Sequence, residues 1–324
     1  MAPVVSAGWS RRFHFEKILL RHRLVPQEGR NLTTEPRRAR RTRLAAALVT
    51  LVALPVFFAA APAAGAAGSN SLTVKAGEYT YKFSGSPKAG WVTINFDNPG
   101  IENHMMAVVK LKKGVTAKQL KTAATSEDDS AFNKIADGDG EVYGIPHLLG
   151  PGQKTTTITK LAGGHYGVLC FVPAPDGAPH IAHGMVKTFD ISTSKSSAKP
   201  PQDGVRDVTL TDSAITIPPN GIPKTGTLKV TNEGTEPHSF LLIKLESGKT
   251  IDDAYTYFNS FFETGKAEGT TPGTIMGGVA TLAPNGMAYL EVTLSAGHYA
   301  YLSAEGDAPD DDYSLGLKGE FDVK

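Results

Sequence analysis

Three stretches of this sequence occur twice at a nearly constant offset, and this internal repeat restricts the fold more than any other feature. The matching pairs are NPGIENHMMAVVKL (98–111) with NEGTEPHSFLLIKL (232–245), GGHYGVLC (163–170) with AGHYAYLS (296–303), and GMVKTFDI (184–191) with GLKGEFDV (316–323). The offset stays between 132 and 134 residues. A repeat of this period predicts two copies of one structural unit.

Each copy carries the pattern of a β-sandwich. Apolar residues alternate with polar ones, as at Val92, Ile94 and Phe96, and such short runs are separated by Gly, Pro and Asn. Each copy also contains one segment with helical features. In the first copy it starts at a capping box on Thr116, and in the second the segment that begins at Thr250 has apolar residues at helical spacing. We therefore expect an all-β protein of two tandem Greek-key β-sandwich domains, each with one helical insertion.

The N-terminal part of the chain has the features of a secretory signal. The basic run RRARRTR (37–43) precedes an apolar, uncharged stretch at 44–61 and Ala-x-Ala sites that end at Ala66. The alternative is an uncleaved membrane anchor, because the apolar run is nearly long enough to span a bilayer. Pro55 and the end of the run, rich in Ala and Gly, favour cleavage.

These features predict a domain division. Residues 1–66 form an N-terminal extension and signal peptide, and residues 67–191 form the first domain. The segment STSKSSAKPPQDG (192–204) has the composition of a linker, and residues 205–324 form the second domain.

Charge and cysteine content restrict the compartment and the partners. Residues 1–66 hold 11 of the 33 Lys and Arg but 3 of the 32 Asp and Glu, so the remaining chain has a net charge of −7. Such a surface argues against nucleic acid or anionic lipid as a partner, and after signal cleavage we expect no stable membrane insertion. We expect a secreted or extracytoplasmic protein. Its single cysteine has no partner for an internal disulfide and is a core thiol, an intermolecular link or a metal ligand.

That cysteine stands next to several further metal-binding side chains. Cys170 is followed by His180, His183 and Met185 on a loop rich in Pro and Gly. A thiolate, an imidazole and a thioether are parts of a trigonal copper site with a weak axial sulfur, provided that a second imidazole arrives from elsewhere, and His104 is the candidate. The alternative is that Cys170 is a small core residue and that the two histidines belong to the loop alone.

At these residues the first copy resembles the cupredoxins, small β-sandwich proteins that carry a type 1 copper. The order is that of the family: an Asn-x-Gly turn and a His, a Cys at the end of a late strand, then a His and a Gly-Met-Val on the next loop. The resemblance implies one type 1 copper with the ligands His104, Cys170, His180 and Met185, and His183 is an alternative ligand. Both copies are covered, but only the first has the complete ligand motif.

The sequence also departs from the family. Nine residues separate Cys170 from His180, a loop closer to that of copper nitrite reductases than to that of plastocyanin-like proteins. Met105 follows His104 where plastocyanin-like proteins usually carry an Asn. Because residues around the ligands tune a metal, we expect an unusual potential.

The second copy lacks the copper ligands. His238 aligns with His104, but Ser303 stands in the place of the cysteine and Leu317 in the place of the methionine. Its ligand loop has become EGDAPDDDY (305–313). We interpret the aspartates of this loop as a solvated segment, because they lack the alternating spacing of a calcium loop.

The favoured function is one-electron transfer with an unidentified redox partner protein. The alternatives are copper storage or delivery, or a binding module without metal. A multicopper enzyme is less favoured, since no His-x-His pair occurs in the sequence, and we predict that the chain is not an enzyme. An apolar rim of Pro179, Ile181 and Ala182 beside His180 is the predicted docking patch.

Overall fold

Strands dominate both copies, as the alternating sequence predicts. The computed structural model describes residues 70–126, 128, 130–265, 270–306 and 310–324. The first copy contains β1 (Ser71–Gly77), β2 (Thr80–Ser84), β3 (Lys88–Asp97), β4 (Ala107–Leu111), β5 (Lys154–Leu161), β6 (Gly164–Leu169) and β7 (Val186–Lys195). The second contains β8 (Val205–Thr211), β9 (Ala214–Thr216), β10 (Thr225–Asn232), β11 (His238–Leu245), β12 (Gly273–Leu282), β13 (Met287–Thr293), β14 (Gly297–Leu302) and β15 (Lys318–Val323).

The helices lie between the fourth strand of each copy and the next strand. They are α1 (Ala117–Ala124), α2 (Ser130–Ile135) and α3 (Ile251–Thr264). The capping box predicted at Thr116 is confirmed, and the helix predicted to start at Thr250 begins with a capping box as well. The insertion of the first copy contains two helices instead of one, because the Asp128 carboxylate accepts a hydrogen bond from the Ser130 backbone N–H and begins a new helix.

The strands form two sheets. The larger has 11 strands in the order β4-β6-β7-β3-β5-β13-β10-β8-β9, with β1 paired to β2 and β3, and the smaller has the order β12-β11-β14-β15. Antiparallel pairing prevails, while β1 with β3, β3 with β7 and β8 with β10 are parallel. The larger sheet therefore runs through both copies.

The two copies meet around an approximate twofold axis. In the antiparallel pair β5–β13, Thr157 lies opposite Leu290, and an isolated bridge joins Pro146 to Val279. Each pair is separated by 133 residues, within the offset of the sequence repeat. A residue that pairs with its own counterpart is the signature of a self-complementary interface.

A loop of the first copy also attaches to β12 of the second. Backbone N–H groups of Gly144 and Gly150 donate to the carbonyls of Thr281 (2.9 Å) and Ile275 (2.8 Å), and Ala280 donates to Ile145 (2.8 Å). All described residues fall into one compact unit.

The core of the first copy encloses the ends of β6 and β7. Val92, Ile94 and Phe96 of β3 are buried there with Cys170 and Met185. On the other face of β6, α1 packs closely at Gly167, where a side chain would collide with Leu120.

Two predicted segments remain to be placed. The signal segment at residues 1–66 lies outside the described residues. Strand β7 continues to Lys195, into the segment predicted as a linker. In the part of the chain that the structure describes, no helix is both long and apolar enough to cross a membrane.

Candidate metal centre

His104 lies on the loop between β3 and β4, and its backbone is held from two sides. It exchanges two backbone hydrogen bonds with Leu149, of 3.0 and 2.8 Å. The buried amide of Asn98 donates to the carbonyls of Leu149 (3.0 Å), Gly150 (3.0 Å) and Glu102 (2.8 Å). Because Gly150 also bonds to β12, the position of His104 depends on the contact between the two copies.

Cys170 and His180 are joined through the loop that separates β6 from β7. Cys170 follows β6 directly, and its N–H donates to the carbonyl of Met185 at 3.2 Å. Its carbonyl accepts from Ile181 at 2.9 Å, and the His180 carbonyl accepts from the Met185 N–H at 3.0 Å. These bonds hold Cys170, His180 and Met185 together at the base of the loop, although nine residues separate the first two.

Three of the predicted ligand side chains converge. The Nδ1 atom of His180 lies 3.1 Å from Nδ1 of His104 and 3.3 Å from the Cys170 sulfur, and the three atoms all lie within 4.8 Å of one another. Each of these side chains is fully buried. Met185 is buried in the same core and is bonded to the other two loop residues through its backbone.

The donor set fits a copper ion. Among the described residues this cluster consists of two imidazoles and a thiol with no carboxylate, a combination that suits copper better than calcium or magnesium. Burial, followed by the charge of His180, lowers the pKa of His104 to about 4. Burial, followed by the charge of His183, lowers the pKa of His180 to about 4. Both imidazoles are therefore neutral at neutral pH, as metal ligation requires.

The Nε2 atoms of the two imidazoles, which lie on the side away from Nδ1, have different surroundings. Nε2 of His180 lies 2.7 Å from Oε2 of Glu102, whose side chain is 19% exposed. Nε2 of His104 is buried with no hydrogen-bond partner among the described residues. The polar contact of the His104 ring is therefore on the side that faces Cys170 and His180.

Two tyrosines close the site. The Tyr79 hydroxyl donates to Oε1 of Glu102 (3.2 Å), and the Tyr79 ring meets the His180 ring edge-on at 5.0 Å. The Tyr81 hydroxyl donates to the Met105 carbonyl. Burial, with the charge of Cys170 and a hydrogen bond to it as further causes, raises the pKa of Tyr81 well above its usual range.

His183, the alternative ligand, lies outside the cluster. Its Nε2 is 3.1 Å from a carboxylate oxygen of Asp176, and its ring lies 4.7 Å from that of Tyr79. Its side chain is 31% exposed. The structure therefore places this imidazole on the surface of the loop between β6 and β7, beside Tyr79.

The predicted apolar docking patch is wrong at its central residue. Ile181 is fully buried and belongs to the core beneath α1 and α2, with Leu120 and Phe132. Its backbone N–H donates to the Cys170 carbonyl at 2.9 Å. Ile181 is not available to a partner.

In the second copy, polar residues that satisfy one another occupy the matching positions. Asp312 takes the place of His180: the Leu317 N–H donates to the Asp312 carbonyl, as Met185 does to His180. Nδ1 of His238 lies 2.8 Å from an Asp312 oxygen, and the Ser303 hydroxyl donates to the same oxygen. The arrangement of the metal cluster is preserved, but a carboxylate and a hydroxyl have replaced an imidazole and a thiol.

Several charged groups surround His238, Ser303 and Asp312, which we call the second cluster. Nε2 of His238 lies 3.0 Å from Asp212. Burial alone lowers the pKa of His238, but hydrogen bonds and charges from Asp312 and Asp212 outweigh burial and raise it. The hydrogen bond from His238 holds the pKa of Asp212 well below its usual range. Both ring nitrogens of His238 face carboxylate oxygens, which can only accept hydrogen bonds, so His238 is an imidazolium between two carboxylates.

The interpretation of the acidic loop as a solvated segment is therefore wrong for two residues. Asp311 and Asp312 are each only 6% exposed. Asp311 accepts a hydrogen bond from the Tyr255 hydroxyl, and Asp312 has the partners described above. A buried carboxylate is stable when such donors surround it. The sequence contained the signal, because aligning Gly316 with Gly184 places Asp312 over His180.

Comparisons with known proteins give matches only at the level of structure. No protein-family model matches the chain. No curated protein matches it either. Similar solved structures include an auracyanin from the photosynthetic bacterium Roseiflexus castenholzii, with 17% identity over 38% of this chain and 99% of that chain and a TM-score of 0.25.

Two longer proteins are also similar. A multicopper oxidase has 14% identity over 78% of this chain and 88% of that chain, with a TM-score of 0.22. The Cu-containing nitrite reductase of Thermus scotoductus has 11% identity over 78% of this chain and 61% of that chain, with a TM-score of 0.22.

These comparisons correct one prediction. We predicted that the chain is not an enzyme, partly because it lacks His-x-His pairs. The similar structures include a multicopper oxidase and Cu-containing nitrite reductases, which are enzymes. The prediction that the chain is not an enzyme is therefore contradicted, because enzymes are among the solved structures to which the chain is similar.

Proposed function

We propose that this chain is an extracytoplasmic copper protein that carries single electrons at one type 1 site, held by His104, Cys170, His180 and Met185. The observation that supports the proposal most directly is that Nδ1 of His180 lies 3.3 Å from the buried Cys170 sulfur and 3.1 Å from Nδ1 of His104. When bound there, copper supplies a reversible one-electron couple.

The residues of the chain fix the ligands and exclude water. The hydrogen bonds at the base of the loop hold Cys170, His180 and Met185, so the donor atoms need little movement when the charge of the site changes. Full burial of all four side chains keeps solvent away from the thiol. The thioether of Met185 is the proposed axial ligand, and His183, which lies on the surface, is not a ligand in this proposal.

The remaining parts of the proposal concern location and partners. The signal segment at 1–66 and the single cysteine support export. We propose that residues 67–191 form the metal-binding domain, that 192–204 connect it to residues 205–324, and that the redox partner is another protein. The net negative charge of the chain without its leader is suited to a cationic partner surface.

The test is to add Cu(II) to the metal-free protein and record its visible absorption. We expect the intense thiolate-to-copper band, and we expect Cys170→Ser to abolish it. Ser303→Ala changes the matching position of the second copy and should leave the band intact. Absence of the band in the unmodified protein, or its survival in Cys170→Ser, would refute the proposal. Tight Cu(I) binding without a stable Cu(II) form would instead indicate copper delivery.

A further inference from the structure

Glu102 is the charged group that contacts a proposed ligand from outside the cluster. Its Oε2 atom lies 2.7 Å from Nε2 of His180. A carboxylate can only accept hydrogen bonds, so Nε2 of His180 carries a proton, and an imidazole that ligates a metal is neutral. The lone pair of His180 is therefore on Nδ1, the atom that faces the Cys170 sulfur and His104.

The carboxylate is itself held in place. The backbone carbonyl of Glu102 accepts a hydrogen bond from Asn98, and its Oε1 accepts one from the Tyr79 hydroxyl. Tyr79 has a φ of 58°, in the left-handed region that bulky residues rarely adopt. Strain of this kind persists where the surrounding structure requires it, and here it accompanies a tyrosine that contacts both Glu102 and His180.

We propose that Glu102 is a positioning residue that fixes the His180 tautomer and lowers the midpoint potential of the metal site, an inference that rests on the proposed copper function. A negative charge next to a ligand stabilises Cu(II) more than Cu(I), because Cu(II) carries the greater positive charge. A carboxylate bonded to the far nitrogen also makes the imidazole more basic.

The second copy supplies a matched comparison. Glu236 follows the same Asn-x-Gly turn, and its backbone carbonyl accepts from Asn232 as that of Glu102 does from Asn98. Its side chain is exposed, and the position of His180 is occupied by Asp312. Glu236→Gln therefore removes the same charge from the same turn without affecting a ligand.

The first measurement uses the metal-free protein, so it does not depend on copper binding. Long-range ¹H–¹⁵N NMR identifies which nitrogen of His180 carries the proton. We expect the Nε2–H tautomer in the unmodified protein and in Glu236→Gln, and a loss of that preference in Glu102→Ala. An Nδ1–H tautomer in the unmodified protein would overturn the inference.

The second measurement is the midpoint potential of the copper-loaded protein. Glu102→Gln keeps a hydrogen-bond acceptor but removes the charge. We expect its Cu(II) affinity to fall roughly 10-fold relative to Cu(I), given that losing such partners costs about 10–100-fold in metal affinity. That change raises the potential by about 59 mV, while Glu236→Gln should match the unmodified protein.

The two proposals fail in different ways. A potential unchanged in Glu102→Gln, with the thiolate-to-copper band intact, would overturn the role of Glu102 and leave the copper function standing. Absence of that band in every variant would refute the copper function. The NMR comparison would then still decide whether Glu102 sets the His180 tautomer.

Discussion

Asp312→Asn should destabilise the second copy by an amount that the structure allows us to work out. In the folded protein the His238 imidazolium donates to Asp312 at 2.8 Å in a buried site. A hydrogen bond to a charged group contributes about 1.5–3 kcal/mol and one between neutral groups about 0.5–1.5 kcal/mol, and the substitution removes the carboxylate charge from this bond. The Ser303 hydroxyl retains an acceptor in the asparagine oxygen. We therefore expect the free energy of unfolding to fall by about 1 kcal/mol.

The loss should depend on pH with a definite sign. A histidine whose pKa is raised on folding stabilises the folded state fully below its unfolded pKa of 6.5, and this contribution disappears as pH rises through the folded-state pKa. Asp212, whose pKa is lowered, contributes above its unfolded value of 3.8 and loses that contribution as pH falls. The cluster is therefore most stabilising between these two unfolded values.

Denaturant unfolding of the unmodified protein and of Asp312→Asn, followed by fluorescence at about pH 6 and about pH 9, measures this difference. Asp310→Asn is the control, because it removes a charge from an exposed position of the same loop. A deficit of equal size at both pH values, or no deficit beyond that of Asp310→Asn near pH 6, would contradict the assignment of His238 as an imidazolium.

Three further predictions test other parts of the structure. His183→Ala should leave the thiolate-to-copper band unchanged in absorption spectra, because this imidazole lies outside the cluster; loss of the band would make it a ligand. Thr157→Val should raise the free energy of unfolding by about 1 kcal/mol in denaturant titrations, because the buried Thr157 hydroxyl has no hydrogen-bond partner among the residues that the structure describes; a lower stability would contradict this. The triple variant Ser303→Cys, Asp312→His, Leu317→Met should gain a second copper band in a Cys170→Ser background, since the backbone bonds of the two loops match; a colourless protein would show that the side chains around the second site prevent it.

The proximity of Cys170, His180 and Met185 could be predicted from the sequence because these residues are close together in the chain. Cys170, His180 and Met185 lie on one strand-loop-strand segment, and residues at the two ends of such a segment come together when the strands pair. Predicting that His104 joins them depended also on the residue order of the cupredoxins, since His104 lies on another loop. Its actual position depends on Leu149, a contact between segments that no local pattern records.

The contacts outside the cluster could not be predicted in the same way. The bond from Glu102 to His180 depends on how the turn after β3 folds over the ligand loop, although a Glu two residues before the His occurs in both copies. The sequence predicts Ile181 at the surface, but the position of a residue in a loop does not determine whether its side chain faces solvent or the core. Its burial depends on α1 and α2, which pack over that side of the loop.

The pairing of β5 with β13 means that each half of this chain supplies the binding partner for the other. A break between the halves would leave the same bare strand edge on both fragments, because Thr157 and Leu290 mark matching positions on that edge. Such fragments should rejoin when mixed, and a fragment kept alone should pair with a second molecule of itself. The two copies of one chain therefore contact each other as the two subunits of a symmetric dimer do.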